Sequence, residues 1–230
     1  MDRAEVLSQT PIFRDLTGRD VGEIVPHLVE RRYAAGQTVW VEGDSADSLY
    51  ILAEGTLKSH RLSRGGGDVI LNFDAAVDIV GQVGLFHPSG KRQVNVTAVV
   101  SSSCLLLRRS RLVDFLSRHP MAMERLLEDI TSMTVQAAYS FTGMAFDDIQ
   151  RRAARTLLAL AEEFGEPVHD GVLIRLELSQ RTLAALVAAS RENVNRALAP
   201  LVADGVISQH GRHFVVHDLA ALAASTKSPL

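Results

Sequence analysis

The sequence predicts an α+β chain in three parts, and three observations carry that expectation. Between Tyr33 and Leu107, short apolar runs alternate with glycine-marked turns, the pattern of a small barrel or roll. From Pro120 an apolar seam recurs at intervals of 4 and 3 residues as far as Met144, which marks one long helix. Beyond it, two short amphipathic helices are followed by a small β-hairpin. The parts are placed at residues 1–118, 119–148 and 149–230.

Taken in order, residues 4–9 and 17–30 read as short helices around Pro11-Ile12-Phe13, with Leu16, Val21, Ile24, Val25 and Leu28 at helical spacing. Strands follow at Thr38–Val41, Ser48–Leu52, Gly55–Lys58, Asp68–Leu71, Asn95–Val100 and Ser103–Leu107. Gly36, Gly43, Gly55, Gly65-Gly66-Gly67 and Gly81 supply the turns between them. Arg109–Phe115 reads as a short helix. In the long helix Met123, Leu127, Ile130, Thr134, Ala137, Phe141 and Met144 form a heptad seam, and a seam this long is expected to face a second copy of the chain. A hinge is placed at Asp148–Arg152, where the next helix begins with Ile149, Ala153, Leu157, Leu160 and Ala161. Gly165–Gly171 reads as a loop, Leu173–Leu176 as a strand, and the tail after Ala224 as frayed.

Composition narrows the function classes. The chain has 230 residues, 47% of them hydrophobic, enough to bury the cores of two domains. No apolar run approaches the roughly 18 residues of a membrane span, and the charged start Met1-Asp2-Arg3-Ala4-Glu5 lacks a signal-peptide core. A cytoplasmic protein with no membrane partner is expected. The single Cys104 lies in an apolar run, so neither an internal disulfide nor an iron–sulfur cluster, which needs about four thiolates, is available. No nucleophile–base constellation, metal-ligand cluster or phosphate loop marks an enzyme. The net charge is -3, and residues 149–230 hold nine Lys/Arg against eight Asp/Glu. Bulk charge therefore gives no sign of nucleic acid, and any such signal must be local.

The local signal lies in Ser179–Leu198. Ser179 is a good N-cap, and Leu183, Leu186 and Val187 share one face of the helix it starts. Ala188 and Ala189 leave room for a turn, Ser190 caps a second helix, and Val194, Leu198 and Leu201 give it an apolar stripe with Pro200 near its end. Its outer face carries Arg191, Glu192, Asn193, Asn195 and Arg196, donors and acceptors suited to base edges in a major groove. The competing reading is a solvated helix face with no partner. Leu201–Ile207 then ends in a glycine cap, Ser208–Arg212 turns, and His213–His217 is a strand, so this part reads as a winged helix-turn-helix.

Ser190-Arg191-Glu192-Asn193-Val194-Asn195-Arg196 resembles the recognition helix of the cyclic-AMP receptor protein and FNR regulators. The resemblance extends over nearly the whole chain and makes the roll similar to a cyclic-nucleotide-binding domain. It implies a homodimeric transcription regulator that partners double-stranded DNA and RNA polymerase. Arg191, Glu192 and Arg196 would read bases of a TGTGA-like inverted repeat. Ser179, Arg181, Ser190, Asn193 and Asn195 complete the expected DNA face, with Ser190, Arg181 and Asn193 placed on phosphates.

For the roll, the resemblance implies an effector site on Gly81–Gln93. Gly81, Gly84, Leu85, Phe86 and Arg92 match the family's pattern. Gln82 stands for its glutamate and Gln93 for its serine, and the hydroxyl pair that reads the purine falls on Ala137 and Ala138. A glutamine brings no charge, and alanine side chains cannot hydrogen-bond a base. The effector's identity is thus open, and cyclic AMP is expected to bind weakly. Two alternatives accompany this reading. One is a nucleotide-binding regulatory module of an enzyme. The other is a haem-based gas sensor, with His87 as the candidate axial ligand.

Overall fold

The computed structural model describes residues 2–62 and 68–226. The glycine turn at Gly65-Gly66-Gly67 and the end of the tail, residues 227–230, lie outside them. The chain divides into two compact units, Met1–Arg61 with Leu71–Gln136, and Leu62–Ile70 with Ala137–Leu230.

The first unit opens with α1 (Arg3–Gln9) and α2 (Gly18–Ile24). Asp2 caps α1, and Thr17 with Asp20 closes a capping box on α2. The helix expected to run to residue 30 stops at Ile24, because Pro26 has no N–H to continue it. A 3-10 turn at Val25–His27 leads instead into a strand that alternation did not reveal, β1 (Leu28–Tyr33). Its four middle residues are exposed and only its two ends are buried.

Seven more strands complete the roll: β2 (Thr38–Trp40), β3 (Ser48–Glu54), β4 (Leu57–Leu62), β5 (Asp68–Asp74), β6 (Ile79–Val80), β7 (Asn95–Ala98) and β8 (Ser102–Arg108). They form two four-stranded sheets, ordered β1-β8-β3-β6 and β2-β7-β4-β5. Side chains alternate across β3 and β8, and each strand feeds two cores. Leu49, Ile51, Leu105 and Leu107 pack against α1, α2 and the helix α4 (Arg109–Arg118). Tyr50, Leu52, Cys104 and Leu106 face inward onto Trp40, Leu57 and Val96. Burial pushes the Cys104 thiol up to about 12, which leaves it unreactive.

The turn from β5 to β6 holds Val77 at φ 73. A β-branched residue in the left-handed region is strained by about 1–2 kcal/mol. Two short bonds hold the turn, Val77 N–H to the Leu52 carbonyl at 2.7 Å and Ala75 N–H to the Asp78 carboxylate at 2.6 Å. Nothing in the structure explains why a valine stands here. Val77→Gly should therefore raise stability by about 0.5–1 kcal/mol after the glycine's extra unfolded-state entropy is deducted. Urea unfolding checks this: the midpoint should rise with the slope unchanged.

The long helix α5 (Pro120–Phe146) straddles the two units. Ala122 and Leu126 are buried in the helix-side core, and Ile130 packs against it. The rest of the heptad seam is open: Met123, Leu127, Phe141 and Met144 are 36%, 57%, 74% and 51% exposed. Packing on the chain's own roll accounts for Ile130 but leaves these side chains uncovered.

In the second unit, α6 (Ile149–Phe164) starts at once behind its cap Asp148, so residues 149–152 of the expected hinge form its first turn, and only Asp147-Asp148 separate α5 from α6. The expected loop Gly165–Gly171 is largely strand. β9 (Gly165–Val168) pairs with β10 (Gly171–Ile174), an edge hairpin whose glutamate and proline had masked it. The helix pair follows as α7 (Gln180–Val187) and α8 (Arg191–Ala203). Ala188 makes the turn between them at φ 53, ψ 50. Gly205, at φ 69, ends α8 with bonds back to Val202 and, through Val206, to Leu201. The expected turn at Ser208–Arg212 is shorter than the sequence suggested. Residues Ile207–His210 form β11, which pairs with β12 (His213–Val216), and only Gly211-Arg212 turns. The sheet order is β11-β12-β10-β9, and a short α9 (Leu219–Ala224), absent from the sequence reading, closes the unit.

Candidate nucleic-acid interface and roll pocket

The expected reading face rests on a buried stripe. Val194, Leu198 and Leu201 of α8 pack inward at 0%, 4% and 3% exposure, together with Leu183 and Val187 of α7. That anchoring points Arg191, Glu192, Asn193, Asn195 and Arg196 to solvent. Among the described residues, no hydrogen bond or ion pair engages the side chains of Arg191, Glu192 or Arg196. Two guanidinium forks and a carboxylate are thus presented unused on one short helix. The Ser190 hydroxyl accepts from Asn193 N–H at 3.3 Å, and the residue stays exposed. Arg181 is exposed on α7. Ser179 is less available: it is half-buried, its oxygen accepts from Thr182 N–H at 3.0 Å, and it also bonds the Thr182 hydroxyl at 2.7 Å.

Behind the hairpin runs a polar chain that the sequence reading missed. His217 bonds the Asp170 carbonyl through Nδ1 at 2.6 Å and the Ser208 hydroxyl through Nε2 at 2.8 Å. Ser208 in turn meets His210 Nε2 at 3.2 Å. The chain ties the turn between β9 and β10 to β11 on the opposite edge of the sheet.

In the roll, Gly81, Gln82 and Arg92 come together. Gly81 precedes the short helix α3 (Gln82–Phe86) with φ 93. A Cβ there would lie 2.2 Å from Arg92 Nη1, so only glycine fits. Arg92 is 3% exposed. It donates to the Ser48 carbonyl at 2.8 Å and the Gly81 carbonyl at 3.3 Å. Its guanidinium lies 4.1 Å from the Trp40 ring centroid and 5.2 Å from that of Tyr50. Among the described residues no carboxylate is within ion-pairing distance of it. Burial lowers its pKa, opposed by the charges of Tyr50, Asp47 and Asp44. Gln82 is 4% exposed and donates to Asp129 of α5 at 2.9 Å and to Met133 Sδ at 3.1 Å. Burial raises the Asp129 carboxyl, and the Gln82 bond partly offsets that. Gln93 turns away onto Ser89 and the Lys91 carbonyl. Ala137 and Ala138 are exposed on α5 and fall in the second unit. His87 is exposed, with Nδ1 on the Ser89 hydroxyl at 2.8 Å. Trp40, Tyr50 and Asp129 belong to this site without a local signal in the sequence. Trp40 and Tyr50 were visible only as aromatics in strand runs, and Asp129 as a charge off the seam.

A β-roll, a long helix and a winged helix-turn-helix define a class, the transcription regulators with a sensory roll and a DNA-binding domain. The chain belongs to the CRP/FNR family of these regulators. The cyclic nucleotide-binding domain family matches residues 30–119, and the Crp-like helix-turn-helix domain family matches residues 151–225. A CRP-like cAMP-activated global transcriptional regulator of Mycobacterium tuberculosis is 28% identical over 219 residues, 95% of this chain and 97% of that protein. The cyclic AMP receptor protein of Thermus thermophilus is 25% identical over 198 residues, 86% of this chain and 88% of that protein. Among solved structures, the c-di-GMP responsive global regulator CLP of Xanthomonas campestris matches with a TM-score of 0.74 at 25% identity, over 88% of this chain and 100% of that one. FixK2 of Bradyrhizobium japonicum matches in fold, with a TM-score of 0.77 at 20% identity, over 88% of this chain and 99% of that one. No helix among the described residues is long and apolar enough to cross a membrane.

Proposed function

We propose that the chain works as a homodimer that reads a TGTGA-like inverted repeat, with cyclic AMP at most a weak effector. The observation that carries this is the outward face of α8, where Arg191, Glu192 and Arg196 stand exposed and unengaged over a buried stripe. Each arginine fork matches the O6 and N7 acceptors of guanine, and Glu192 accepts from a cytosine N4 amine. Ser190, Arg181 and Asn193 hold phosphates and set the register without reading sequence. Ser179 serves mainly as the cap of α7. Two-fold pairing through the open face of α5 would place two such helices on half-sites about 34 Å apart, one turn of duplex. The weak-effector part rests on Gln82, on Ala137 and Ala138, which offer no side-chain bond to a base, and on similar proteins that are named for different effectors.

A selection from random duplexes by the purified chain, without added nucleotide, tests this reading. An inverted repeat with TGTGA-like arms should be recovered. Recovery of unrelated sequences, or of none, would remove the assignment of α8 as the reading helix.

A further inference from the structure

We propose that Trp40 is the specificity-determining residue of the roll: its indole covers the face of Arg92 and fixes that guanidinium against two protein carbonyls, which turns the roll's anion anchor away from a cyclic nucleotide. The inference rests on the reading that cyclic AMP is at most a weak effector, and it names the residue responsible.

Arg92 is the one cation of the Gly81–Gln93 segment that is buried, and a buried guanidinium needs partners for its charge and its N–H groups. An open anchor would draw them from a ligand phosphate. Here the protein supplies part of them, for two of the five N–H groups and one face of the guanidinium. Two carbonyls, of Ser48 and Gly81, take N–H bonds. The Trp40 ring, at 4.1 Å, takes one face, a cation–π geometry that strengthens when water is excluded. The indole is itself fixed: its Nε1 donates to the Val94 carbonyl at 3.0 Å, and it meets Tyr50 edge to face at 4.8 Å. The stack fixes the plane in which Arg92 can meet a phosphate, and the anchored indole cannot follow if the guanidinium has to turn. The other buried polar residue of the segment is also engaged, because the Gln82 amide donates to Asp129 and Met133.

Trp40 is the only tryptophan in the chain, so its fluorescence reports this stack without a label. The full-length protein is titrated with cyclic AMP and with cyclic GMP, following tryptophan emission and calorimetric heat. The wild type should show no saturable change below about 1 mM. Trp40→Leu, which removes the ring and keeps an apolar side chain, should bind at least about tenfold more tightly than the wild type by calorimetry. Trp40→Phe keeps most of the packing and should fall between the two. In Arg92→Met the emission of Trp40 should shift, because the cation leaves the ring. A wild-type dissociation constant below about 10 μM overturns both this inference and the weak-effector reading beneath it. Variants at Trp40 that keep the wild-type circular dichroism yet gain no affinity overturn the role of Trp40 and leave the weak-effector reading standing. Unchanged emission in Arg92→Met overturns the stack itself.

Discussion

Replacing Leu127 and Phe141 together with aspartate should turn the proposed homodimer into monomers and abolish retention on an inverted-repeat duplex. Both side chains are more than half exposed in the single chain, at 57% and 74%, so neither change should disturb the chain's own cores. Paired across a two-fold axis, each carboxylate would instead be buried without a partner, which costs about 3–5 kcal/mol per site. That is a large share of what a seam of this length supplies. Ile130 is the poorer position for such a test, although it sits mid-seam, because it also packs on the roll. Sedimentation velocity at micromolar concentration, with circular dichroism to show an intact fold, checks the result. An unchanged dimer would place the pairing surface elsewhere.

Arg191→Ala should cost about 1–3 kcal/mol in binding to the selected duplex and relax the choice of base at one position in each arm. Arg191 follows the cap Ser190 directly, at the end of α8 that a recognition helix points into the groove. Its side chain is exposed, so the loss would come from the complex and not from the fold. The signature of base reading is the pattern of loss. A phosphate contact would weaken all duplexes alike and flatten the salt dependence. Fluorescence anisotropy against a panel of single-base variants separates the two. A uniform loss across the panel would assign Arg191 to the backbone.

The helix pair was legible because its signals are local. Ser179 and Ser190 cap as expected, and of the expected apolar positions Leu183, Val187, Val194, Leu198 and Leu201 are buried while Leu186 is half-buried. The strands that escaped are those in which burial and alternation part company. β1 shows Glu30, Arg31 and Arg32 along its exposed middle, and Ser208-Gln209-His210 makes β11 polar because it is an edge. Helical spacing drew the expected second helix through Pro26 as far as residue 30 because Val25 and Leu28 also suit the strand entry that replaces it. In the roll, Gly81 and Arg92 were recognisable as a pair. What engages them was not, since Trp40 lies 52 residues before Arg92, and Asp129 lies 47 after Gln82. Contacts made across such distances depend on strand register and on the seating of α5, which no local pattern encodes.

The short joint between α5 and α6 has a consequence for the spacing of a target site. Asp147 pairs with Arg155 at 2.7 Å, Arg152 reaches the Asp147 and Val187 carbonyls, and Gly143 lets Arg155 approach where a Cβ would stand 2.8 Å from it. The end of the long helix is thereby braced against α6, with only Asp147 and Asp148 between the two helices. One base pair inserted between half-sites turns them by about 34° relative to each other. A flexible tether would follow that turn, but a braced elbow would resist it, so on the proposed two-fold reading the molecule would act as a ruler that measures one gap.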